Sequence, residues 1–126
     1  MASFAVVVKP AGGNTSAMAQ EQAKNYLRNV LGANAGTRLT NLVQCLNNVF
    51  GDEGKSNGAL TFAGHPTRHA SHGVMGVSSV TLFFYVAAGT AYIFAMGEHQ
   101  GAHSYKISFF GPTDGTFKAG KTVTLT

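Results

Sequence analysis

The sequence predicts an α+β domain: an N-terminal strand and two helices packed on a twisted, mainly antiparallel sheet of four to six strands. Three observations predict it. Two stretches with helical spacing of apolar residues precede residue 51. Runs rich in β-branched and aromatic residues, separated by turn signals, follow it. The 126 residues suffice for a single domain, residues 1–126, and leave no room for a second. Strands grouped after helices place the helices on one face of an antiparallel sheet.

The elements follow in order. Ser3 to Lys9 is a β-branched run bounded by Pro10 and the Gly12–Gly13 pair, and reads as a strand. Asn14, Thr15 and Ser16 offer caps for a first helix. Its apolar positions are Ala19, Ala23, Tyr26, Leu27, Val30 and Leu31, with Gly32 as its stop. A second helix begins at Thr37 and ends at Gly51. Leu39, Leu42, Val43, Leu46, Val49 and Phe50 form its apolar stripe, while Asn41, Gln44, Asn47 and Asn48 face away. Residues 51–58 read as a loop.

Beyond it, Ala59 to Ala63 is a short strand. Gly64 to Ser79 reads as irregular, with Pro66, glycines and three histidines. Val80 to Val86 and Ala91 to Met96 form a hairpin around Ala87–Thr90. Gly97 to Ser104 reads as a second polar loop. Tyr105 to Phe110 is a strand, and Lys121 to Thr126 alternates as an edge strand.

Nine Lys and Arg oppose five Asp and Glu, for a net charge of +4 and a pI near 9.5. That balance favours a polyanionic partner. The single Cys45 excludes an internal disulfide and a cysteine zinc ribbon. Its place beside the apolar stripe makes it a buried structural thiol. No segment reaches the ~18 apolar residues of a membrane span, and residues 1–8 lack the pattern of a signal peptide. The expectation is a cytoplasmic protein without membrane contact, or one carried into a target cell by a separate system.

Five histidines flank the hairpin: His65, His69 and His72 before it, His99 and His103 after it. Three readings compete. The first is acid–base cleavage of RNA, which needs a base for the 2′-hydroxyl proton, an acid for the leaving 5′-oxygen and cations for the phosphorane. Imidazole, with an ordinary pKa of ~6.5, serves as either acid or base. Glu98, His99, His103, Tyr105 and Lys106 hold these residue types within nine positions and are the candidate catalytic set. Arg68, His69, His72 and Tyr92 are candidates for substrate binding, through phosphate charge and base stacking. This reading uses no metal and no cofactor. The second reading is a non-catalytic basic module for a protein or nucleic acid. The third is a His-ligated metal site using the His65/His69/His72 and His99/His103 spacings, although neither segment reads as helical. Taken singly, His65, His69 and His72 read first as surface hydrogen-bonding groups, and His99 reads equally as one or as a site residue, because it follows a strong strand and a Glu.

The hairpin VTLFFYV–AAGT–AYIFAM, the ending GEHQGAHSYKI and the strand–helix–helix–sheet order resemble the RelE/ParE-type toxins. More broadly they resemble the fold group joining barnase, the colicin ribonucleases and RelE. The resemblance covers most of the chain in architecture and about a dozen residues in motif. It implies a toxin-like, metal-independent ribonuclease acting on tRNA or mRNA, with His99 and Tyr105 carried over. It also implies an acidic antitoxin or immunity protein as partner. The family often has an arginine on the strand before the hairpin turn. Val80 to Val86 has none, which leaves the phosphate-stabilising cation unassigned.

Overall fold

The computed structural model describes residues 3–9, 14–18, 20–50, 55–62, 65–74, 77–87, 90–101, 104–110, 116–118 and 124–125. The described chain runs β1 (Ser3–Lys9), β2 (Asn14–Met18), α1 (Gln20–Leu31), α2 (Thr37–Phe50), β3 (Lys55–Phe62), β4 (His65–His72), β5 (Val80–Ala87), β6 (Thr90–Gly101), β7 (Ser104–Phe110), β8 (Thr116–Lys118) and β9 (Thr124–Leu125). The architecture is α+β. None of the described helices is long and apolar enough to cross a membrane.

The strands join one sheet in the order β2-β1-β6-β5-β4-β3-β9, with β7 also on β6 and β8 on β7. Among the described residues all neighbours run antiparallel except β1 with β6 and β3 with β9. The twelve-residue β6 is the spine. One edge pairs with β5. The other is divided: Thr90 to Ile93 take β1, and Met96 to Gly101 take β7.

The helices supply one side of the core. Ala23 and Leu27 of α1 and Leu42, Cys45, Leu46 and Val49 of α2 pack on Ala70, Val80, Leu82, Phe84, Ala91, Ile93 and Met96. The spacing in both helices puts these residues on one face. Gly32 ends α1 with φ +92° while its N–H bonds to Arg28 O at 3.0 Å, a left-handed stop that glycine adopts without steric cost.

Among the described residues the sheet has nine strands, where the sequence led us to expect four to six. The additional strands come from polar stretches. Asn14–Ser16, expected as a helix cap, belong to β2, an edge strand on β1, and α1 starts only at Gln20. Half of the expected loop at 51–58 is the start of β3. The expected irregular segment contains β4; of the second polar loop, residues 97–101 extend β6 and Ser104 starts β7. Asn41, expected to face solvent, is buried at 7% exposure.

Candidate functional site

Strand alternation sorts the candidate residues by face. In β4, Ala70 belongs to the helix-side core, so Arg68 and His72 share its side. Their partners in β5, Phe84 and Val80, belong to the same core. His69 takes the opposite face with its partner Phe83. Tyr92 lies there too, in register with Tyr85.

Glu98 and His99 are successive residues of β6 and leave opposite faces. Glu98 turns to the helices, where its Oε1 accepts a bond from Arg38 Nη2 of α2. Arg38 also donates to Val77 O at 2.9 Å and lies 5.7 Å from the ring centroid of Phe109. The side chains of Arg38 and Glu98 are 27% and 18% exposed, so the pair is only partly screened by water. Arg38 Nε is buried and makes no hydrogen bond among the described residues.

His99 is held through its backbone. Ser79 Oγ accepts from His99 N at 2.9 Å and donates to His99 O at 3.2 Å. The ring atom Nε2 of His99 is buried.

Across β6 and β7 the register sets Glu98 opposite Lys106 and His99 opposite Tyr105. For Lys106 and Tyr105 the description extends to the backbone, and His103 lies outside the described residues. Strand alternation therefore places the described histidines His69 and His99 on the face opposite Glu98. That face lies away from α1 and α2, and His72 is exposed on the helix side. Among the described residues no group of three His, Cys, Asp or Glu side chains could hold a metal ion.

Sequence reasoning missed Arg38, which engages Glu98. Arg38, Asn41 and Cys45, at i, i+3 and i+7, line one edge of α2. Each donates to the segment before or at the start of β5: Arg38 to Val77 O, Asn41 Nδ2 to Ser78 O at 2.8 Å, and Cys45 Sγ to Val80 O at 3.1 Å. The N–H groups of Val77, Ser78 and Ser79 all donate to Val74 O, so the turn is bonded both internally and to the helix. Two valines, Val74 and Val77, stand exposed on it. Burial, opposed by a backbone hydrogen bond at His72, pushes the Cys45 thiol up to about 12, so it stays protonated and unreactive.

The face away from α1 and α2 carries an aromatic row. His65 and Tyr85 stack with centroids 4.5 Å apart and planes 2° apart. Tyr85 and Tyr92 stack at 4.7 Å and 9°. Phe94 meets both Tyr85 and Phe83 at a tilt, and His69 meets Phe83. Phe83 and Phe94 are wholly buried and Tyr85 is 8% exposed, whereas His65 and Tyr92 are half-buried. Burial, and then the neighbouring Tyr92, raise the pKa of Tyr85.

No protein-family model, no curated protein and no solved structure matches this chain.

Proposed function

We propose that this protein is a basic, non-catalytic module that binds RNA. The observation that carries this over the enzyme reading is the position of Glu98. Its carboxylate is tied to Arg38 on the helix side, while His99 leaves the other face of the same strand. An acid and a base that act on one phosphodiester must both reach it, and a strand that separates them disfavours that chemistry. The excess of nine basic over five acidic side chains supplies the general attraction to a polyanion.

The test is fluorescence anisotropy with a labelled single-stranded RNA across a salt series, run beside a cleavage assay with stoichiometric protein. The expected result is affinity that falls steeply with salt, intact RNA, and no change on His99→Ala. Cleavage that disappears with His99→Ala overturns the reading.

That outcome would restore the second reading, a toxin-like metal-independent ribonuclease of RelE/ParE type. One observation favours it: the β6–β7 register places Lys106 opposite Glu98 and Tyr105 opposite His99. Arg38 beside Glu98 would then fill the place of the missing strand arginine. An acidic antitoxin or immunity protein and a cytoplasmic site of action belong to this reading.

A further inference from the structure

The outer side of a surface helix is ordinarily a solvated face of charged and polar residues. That of α2 departs from this. Thr37, Thr40, Gln44 and Asn47 are all exposed, and their spacing of i, i+3, i+7 and i+10 sets them in one row along the helix. The row is about 15 Å long. Every member is uncharged, and each both donates and accepts hydrogen bonds. Arg38, the one charged residue of α2, lies on another edge and is engaged by Glu98. Thr40 and Asn47 are poorer helix formers than the Lys, Glu or Ala that a solvated position accepts, and they bury nothing in exchange.

The surroundings of the row are basic. α2 packs against α1 and against β4 and β5 of the sheet. Arg28 is exposed in the last turn of α1, and Arg68 of β4 is half-buried on the helix side of the sheet. No acidic residue occurs between Glu21 and Asp52 or between Glu53 and Glu98. Glu21 itself pairs with Lys24 at 3.0 Å, and Glu98 with Arg38.

We propose that the exposed row of α2 docks in the minor groove of double-helical RNA, its hydroxyls and amides bonding the 2′-hydroxyls while arginines of the neighbouring elements meet the phosphates. This rests on the RNA-binding reading. The minor groove of an A-form duplex is wide and shallow, and the 2′-hydroxyls it displays also donate and accept. Two observations select this ligand among nucleic acids. Single strands are gripped by stacking bases on aromatic rings, and every Phe and Tyr whose side chain is described is buried or half-buried. The major groove of B-DNA is read by a helix that enters it, whereas α2, held against α1 and the sheet, presents only its outer side.

The experiment follows the anisotropy of a labelled RNA duplex of about 16 base pairs with full-length protein at low ionic strength. Beside it run the DNA duplex of the same sequence, the RNA duplex 2′-O-methylated on both strands, and one RNA strand alone. Wild type should bind the unmodified RNA duplex more tightly than any of the three. Thr40→Ala combined with Gln44→Ala should weaken duplex binding by about tenfold, the loss of two neutral hydrogen bonds. Gln44→Glu, which keeps the shape and adds negative charge, should weaken it at least as much. Alanine is the better helix former, so the double variant should melt no lower than wild type. Binding of the DNA duplex or the single strand as tight as that of the RNA duplex, or unchanged duplex affinity in the double variant and in Gln44→Glu, overturns the groove site and leaves RNA binding standing. No binding of any RNA by wild type overturns both.

Discussion

The hydroxyl of Ser79 holds both polar groups of the His99 backbone: it accepts from the N–H at 2.9 Å and donates to the C=O at 3.2 Å. Ser79 is 1% exposed, so water cannot easily replace either bond. Ser79→Ala should cost about 1–3 kcal/mol, the cost of leaving buried backbone groups unsatisfied. Urea denaturation measures it, and an unchanged midpoint would show that β6 holds His99 without the hydroxyl.

Arg38 and Glu98 join α2 to β6 across sixty positions of sequence. Both side chains keep some contact with water, which limits the value of the pair. A double-mutant cycle with Arg38→Met and Glu98→Gln should give a coupling of about 0.5–1 kcal/mol, smaller in high salt. A coupling of zero at low salt would remove the pair as a tie between helix and sheet.

Gly73 has φ +106°, and a Cβ there would stand 2.6 Å from Ser78 O and 2.9 Å from Ser79 Cα. Both are backbone atoms and cannot rotate away. Gly73→Ala should therefore destabilise the fold by about 2–4 kcal/mol. A thermal melt near that of wild type would mean that the turn relaxes at little cost.

Cys45 carries a thiol whose pKa is pushed from 9.0 to about 12. The folded state holds this proton more tightly than the unfolded chain does. Its contribution to stability is therefore complete below pH 9 and declines as the pH rises from about 9 to about 12. At pH 8 the native protein should resist iodoacetamide and react only on unfolding. Rapid modification of the native protein would show that the thiol is accessible.

The second helix was legible because its stripe repeats over fourteen residues, and β5 because Val80 to Val86 is nearly all β-former. The strand β4 was not legible. HPTRHASH buries Thr67 and His69 on one face and Ala70 on the other, so its buried positions spell neither an apolar run nor an alternation of apolar and polar residues. The site was hidden for a related reason. Glu98 and His99 are adjacent in sequence, and adjacency in a loop suggests cooperation. Once β6 extends through Gly101, the same adjacency separates them. Arg38 gave no local sign of its role, because its partners Val77 and Glu98 lie far along the chain.

The division of the β6 edge has a consequence for how the molecule assembles. β1 has its parallel partner in Thr90 to Ile93, near the other end of the chain. During synthesis the first hairpin leaves the ribosome long before its berth exists, and it must wait with an open flank while the intervening strands are made. Such distant pairing is slow, and unpaired strand edges invite self-association. Closure of β1 onto β6 is thus expected as a late step of assembly, and the interval before it as a moment at which the nascent chain is exposed to aggregation.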